Sequence, residues 1–175
     1  KKDQGQKMGI DLTSKLNNFD MRIIDTQNVN EVANKIYVNA TVKNIGDFEG
    51  KEAVQVYYEA PQGKLGKSVR SLVAYEKTES IKIGGECTVS LDFDISKMAS
   101  YDDSGVTGYK SCYVLEEGDY NIYVGSDVRS AKKCFTFHIS DTIVTEKCRE
   151  ALSPVLPFER LRPDAKMNET YEPVP

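Results

Sequence analysis

The sequence predicts an all-β fold: an antiparallel sandwich of about seven strands, followed by a short C-terminal helix and an extended tail. Three observations carry that expectation. Cys87, Val89, Leu91, Phe93 and Ile95 alternate with Thr88, Ser90, Asp92 and Asp94, so one face of that strand is apolar and the other meets water. Similar short runs recur along the chain, bounded by Gly, Asn, Asp or Pro and with little helical periodicity between them. The third is the stretch 115–125, where Tyr120, Ile122 and Val124 alternate with Asn121 and Tyr123 behind a Glu117-Gly118-Asp119 turn. Leu115, Gly118 and Tyr120 have the spacing of a tyrosine corner, in which the hydroxyl bonds back to backbone at the turn into a late strand.

Taken in order, residues 1–18 are polar, with Met8, Ile10, Leu12 and Leu16 as the sizeable apolar side chains, and read as a leader. Residues 19–26 form a first strand with Met21 and Ile23 on one face, and 27–34 a polar loop. Ile36, Val38, Ala40 and Val42 alternate with Tyr37, Asn39, Thr41 and Lys43, and Asn44-Ile45-Gly46-Asp47 is the turn closing that strand. In 52–60, Val54, Val56 and Tyr58 oppose Gln55, Tyr57 and Glu59; a loop follows at 61–67. Residues 69–77 form another strand with Leu72 and Ala74 in phase, and Ile83-Gly84-Gly85-Glu86 is a tight turn into the Cys87 strand. A long loop at 97–112 leads to a short strand at 113–115, and the last strand, 134–139, turns Phe135, Phe137 and Ile139 inward.

Beyond Ile139 the period changes. Ile143, Val144, Lys147, Cys148, Ala151 and Leu152 fit one face of a helix, with Asp141 or Thr142 as N-cap and Pro154 past its end. Residues 153–175 hold five of the six prolines without periodicity, a tether rather than a second domain. The expected organisation is therefore leader 1–18, sandwich 19–141, and helix plus Pro-rich linker 142–175.

A chain of 175 residues is long enough to bury a real core. Net charge −4, with dispersed Lys and Arg, argues against a nucleic-acid partner, and no apolar run approaches a membrane span. Cys87, Cys112, Cys134 and Cys148 are widely spaced without a C-x-x-C pair, which disfavours zinc and leaves reduced thiols as the simpler reading.

Several residues invite sharper chemistry. His138, the only histidine, falls on the outward phase with no Ser or Cys in register, so it reads as structural. Asp102-Asp103-Ser104-Gly105 lacks the alternating carboxylates and distal Glu of a calcium loop and reads as a solvated turn. Glu116, Glu117 and Asp119 could be acid and base groups for glycoside cleavage, but they crowd one turn. Asn39-Ala40-Thr41 and Asn168-Glu169-Thr170 are sequons of the kind that arise by chance, and no helix follows Gly84-Gly85 to make a phosphate loop.

Val42-Lys43-Asn44-Ile45-Gly46, followed by the run from Gly50 through Ala53-Val54-Gln55-Val56 to Tyr58, resembles the opening strands of the fibronectin type III-like domain of glycoside hydrolase family 3. The resemblance continues at Leu72-Val73-Ala74-Tyr75-Glu76-Lys77, at Ile83-Gly84-Gly85-Glu86 and through 115–125; Ser71 and Gly84 stand where that family often has Pro. The segments 98–108 and 156–163 are similar to a bacterial subgroup in which the domain order is permuted and this module precedes the catalytic barrel.

The resemblance implies an immunoglobulin-like, fibronectin type III-like sandwich within a retaining β-glucosidase. In that family the nucleophile Asp and the acid/base Glu lie outside this module. It therefore implies no catalytic, metal-binding or cofactor-binding residue and no cofactor here. The implied partners are the catalytic barrel and α/β domains of a parent enzyme, against which the module packs. The competing reading is an independent carbohydrate-binding or adhesive sandwich module, whose oligosaccharide platform Tyr57, Tyr75, Tyr101, Tyr109, Tyr113 and Tyr123 could supply.

Overall fold

In the computed structural model of the protein the described residues are 21–32, 34–151, 154–164, 166 and 168–174. Two sheets make the sandwich. One joins β1 (Met21–Val32), β2 (Lys35–Asn44) and β5 (Glu86–Asp94) in the order β1-β2-β5. The other joins β3 (Ala53–Glu59), β4 (Ser71–Lys77), β8 (Gly118–Gly125) and β9 (Lys132–Ile139) in the order β4-β3-β8-β9.

The β2–β5 register shows why these residues form strands. Ile36, Val38, Ala40 and Val42 lie opposite Phe93, Leu91, Val89 and Cys87, so the apolar phases of both strands coincide. They meet Val54, Val56, Tyr120, Ile122, Val124, Phe137 and Ile139 of the other sheet in one core. Leu91 and Phe93 are buried, as the period-two run predicts. On the wet face the same register brings Thr41 Oγ1 to 2.8 Å from Thr88 Oγ1, and the Ser90 hydroxyl to 2.7 Å from Asn39 Oδ1. A slip by one residue would invert every one of these pairs.

Four expectations are corrected. The polar stretch 27–34 is not a loop: β1 continues to Val32, with Asn28, Asn30 and Glu31 paired to Asn39, Tyr37 and Ile36. Backbone pairing to β2 overrides the poor strand propensity of Asn and Asp, and bulges between Ile23 and Asn28 absorb the irregularity. Asn34 turns the chain at φ 66°, a conformation asparagine tolerates well.

The expected C-terminal helix is β10 (Ile143–Lys147), paired antiparallel to β7 (Cys112–Leu115). Ile143, Val144 and Thr145 are β-branched and the β7 edge is available to them, so sheet bonding prevails over an amphipathic pattern too short to nucleate a helix. Thr142, expected as a helix cap, instead accepts a bond from the Glu117 N–H at 3.4 Å.

The long loop 97–112 contains β6 (Ser100–Asp102), which completes a third sheet in the order β10-β7-β6; a single 3₁₀ turn, Ile95–Met98, leads into it. The tail, expected as an extended tether, carries a hairpin, β11 (Phe158–Pro163) on β12 (Glu169–Val174). The expected leader 1–18 lies outside the described residues.

Candidate functional site

At one end of the sandwich the loop 61–68 crosses the turn between β7 and β8. The tyrosine corner is there: Tyr120, fully buried, donates its hydroxyl to the Glu116 carbonyl at 3.1 Å. Burial, acting first, and the Glu116 charge raise its pKa well above the usual phenol value. Two glycines let the loop close on the corner. Gly118 adopts φ 128°, and a Cβ there would stand 2.8 Å from Pro61 Cβ. A Cβ on Gly63 would overlap the Glu116 carboxylate.

That carboxylate organises the loop. It accepts the backbone N–H of Lys64 at 2.6 Å, that of Leu65 at 3.2 Å, and the Lys67 ammonium. Lys67 also donates to the Pro61 carbonyl at 2.8 Å. The two charged side chains are 5% and 6% exposed, a pair removed from water and satisfied by backbone. Both Glu116 oxygens are committed within the loop, which makes Glu116 a loop anchor.

The second anchor is Asp102. Sequence reading made it part of a solvated turn; it is fully buried and accepts the N–H groups of Gly105, Val106 and Thr107 at 2.7, 3.1 and 2.9 Å, plus the Thr107 hydroxyl. Burial alone would push its pKa up, but the bonds from Thr107, Gly105 and Val106 outweigh burial and hold it below the usual aspartate value. Asp103, next in sequence, reaches Arg160 of β11 at 3.3 Å. Arg160 also grips Glu172 of β12 at 2.6 Å, and Arg162 holds the same carboxylate at 2.7 Å. The hairpin is thus tied to the sandwich through a loop whose shape a buried carboxylate fixes.

The other candidates scatter. His138 is exposed, its Nδ1 2.8 Å from Asp119 Oδ1 on the neighbouring strand. Glu117 is exposed, and so is Asn39, in mid-strand. Asn168 donates to Asp164 in the hairpin turn, and Gly84, at φ 72°, serves the turn into β5. The tyrosines do not form one platform. Tyr57 is buried, Tyr75 stands exposed on β4, and Tyr123 lies under the Arg70 guanidinium, 3.8 Å from its ring centre, while donating to Glu59 at 2.6 Å. Tyr101 and Tyr113 pair across β6 and β7 with ring centres 5.2 Å apart.

Sequence reasoning missed Lys67–Glu116, the Asp102 cap and Glu59–Arg70–Tyr123. The first joins residues 49 apart and the last spans 64, so no local spacing signals them. Two adjoining clefts of about 310 and 450 Å³ run between the loop 61–68 and the hairpin, sharing Gly66, Lys67, Ser68 and Arg160.

Comparison with known proteins places this geometry. Residues 52–128 match the fibronectin type III-like domain. A β-glucosidase of Ruminococcus albus is 47% identical over 140 residues, 80% of this chain and 15% of that protein. β-Glucosidase A of Butyrivibrio fibrisolvens is 38% identical over 146 residues, 83% of this chain and 17% of that protein. Among solved structures, a β-glucosidase from Paenibacillus barengoltzii superposes with TM-score 0.78 at 36% identity, covering 90% of this chain and 18% of its own. β-Glucosidase 3B from Thermotoga neapolitana, in complex with glucose, gives 0.62 at 28% identity, covering 71% and 16%. The chain therefore spans roughly a sixth of the curated relatives it matches.

Proposed function

The chain carries a fibronectin type III-like domain of the kind found within the glycoside hydrolase family 3 β-glucosidases, and on that premise we propose that it is a non-catalytic accessory domain of such an enzyme, packing against the catalytic domains and fixing their placement. One observation carries the packing role. The hairpin presents Leu161 and Tyr171 as a cross-strand pair, 55% and 60% exposed, and the segment leading into it carries Val155 and Leu156 at 96% and 75%. Apolar side chains gathered on so small an element call for a covering surface.

The permuted domain order of the bacterial subgroup that 98–108 and 156–163 resemble is part of the same proposal. A barrel following the hairpin would use it as the joint. Sugar specificity resides in that barrel on this reading, and the commitment of Glu116 to the loop 61–68 fits a mechanical contribution from this domain.

The test uses the full-length parent enzyme. Phe158→Asp with Leu161→Asp should bring heat inactivation of aryl β-glucoside hydrolysis to lower temperature, while the chain alone shows no turnover. Unchanged heat inactivation would sink the packing role. Turnover by the purified chain that Glu117→Gln abolishes would sink the non-catalytic one.

A further inference from the structure

We propose that the trench between the loop 61–68 and the hairpin is a binding site for a neutral oligosaccharide. Two clefts of about 310 and 450 Å³ adjoin there along a shared rim of Gly66, Lys67, Ser68 and Arg160, each of a volume that suits a small ligand.

Charge decides against an ionic ligand. Lys67 is spent on Glu116, Arg160 on Asp103 and Glu172, and Arg162 on Glu172, so the three cations are matched by three carboxylates. With its cations matched by carboxylates the trench offers little net charge to attract an ion, and a neutral molecule needs none.

Hydroxyls decide for a sugar. Ser68, Ser71, Ser100, Tyr58 and Tyr101 line the first cleft, and their side-chain oxygens make no hydrogen bond to another described residue. Each such oxygen both donates and accepts, which is what the hydroxyls of a pyranose require. Tyr101, 40% exposed and braced by Tyr113, offers a ring face on which a pyranose C–H face can stack. In the second cleft Gln62 adds a planar donor and acceptor pair. A peptide occupant fits less well: Ala60 and Leu65 are already 8% and 3% exposed, leaving Leu161 as the one apolar anchor along the trench among the described residues. The Glu116 and Asp102 anchors hold both walls in place before any ligand arrives, so little ordering opposes binding.

The site goes beyond the accessory role and can fail without it. The ¹⁵N-labelled 175-residue chain is titrated with cellotriose, and separately with trigalacturonate as an anionic counterpart, while amide shifts are followed. Saturable shifts confined to the trench, at Gly66, Ser68, Ser100, Tyr101 and Arg160, are expected with cellotriose alone. Tyr101→Ala should weaken binding about tenfold. Ser68→Trp, at an exposed loop position, should fill the trench and abolish it. Tyr75→Ala, on an exposed tyrosine outside the trench, should leave it unchanged. No saturable shift, an equal response to trigalacturonate, or binding that survives Ser68→Trp would each overturn the assignment.

Discussion

The sandwich and the hairpin behind it are built from the same kind of strand, antiparallel and in register, but they bury different things. In the sandwich the β2–β5 pairs Ile36–Phe93 and Val38–Leu91 are at most 8% exposed, because a second sheet covers them. In the hairpin the equivalent pair, Leu161–Tyr171, stays more than half exposed. What reaches from the hairpin to the sandwich is charge: Arg160, fixed by Glu172 within the hairpin, pairs with Asp103, and both Arg160 and Asp103 remain roughly one third exposed. Pairing makes a strand, and a second apolar layer makes a core. An element with the first and not the second depends on its neighbour.

The sharpest way to break that comparison is a pair of truncations. Phe93→Ala should cost the sandwich about 3–5 kcal/mol, because a fully buried aromatic leaves a cavity the two sheets cannot close. Leu161→Ala should cost the chain under about 0.5 kcal/mol. Urea midpoints at matched slope read both values. Similar losses at the two positions would mean that the hairpin belongs to the sandwich core.

Lys67→Met comes next, at about 2–4 kcal/mol. It leaves the Glu116 charge buried with only the Lys64 and Leu65 N–H groups for company. Adding Glu116→Gln should recover part of the loss, since the amide oxygen can still accept from those donors. A double variant no better than the single would show that the ammonium acts by packing alone.

Alternation made the sandwich legible. The inward phases of β2, β5, β8 and β9 can be read from the sequence because one covered face imposes a period of two. The tyrosine corner is legible for a related reason: Gly118 and Tyr120 lie within one turn. What resisted reading depends on partners far along the chain. The pattern at 143–152 suits a helix as well as a strand, and only the free edge of β7 decides between them. Asp102 looks like turn chemistry until the loop it caps folds over it. In the hairpin, prolines hid a register that Arg160–Glu172 and Leu161–Tyr171 make plain.

Acid should act on the two regions together. Asp102 sits below the usual aspartate value of about 3.9 in the folded chain. Its contribution to stability is therefore complete above that value and is lost as pH falls through the lower folded one. Glu172 is also lowered, first by its bond from Arg162 and then by that from Arg160, so the hairpin's ion pairs weaken in the same direction. Denaturant midpoints measured from about pH 6 down to about pH 2 should decline on an acid limb that Asp102→Asn flattens. An identical acid limb in that variant would assign the decline to other carboxylates.

The smallest effect isolates the hairpin. Glu172→Gln removes the charge that Arg160 and Arg162 share but keeps the side chain's shape and one accepting oxygen. Because these groups are partly solvated, global stability should barely move. Local opening should respond more visibly. Arg160 lies within a ladder of paired residues, and trypsin reaches the Arg160–Leu161 bond only when that ladder parts. A loss too small to shift the urea midpoint should still speed that cleavage about twofold, because the open fraction rises in proportion to the local equilibrium constant. Asp103→Asn should do the same from the sandwich side, since it frees Arg160 from the loop. Faster cutting with an unchanged midpoint is the expected signature of an element held by ion pairs while its apolar side awaits a neighbour. Cleavage that tracks the global midpoint in both variants would show instead that hairpin and sandwich open as one unit, and the contrast between them would fall.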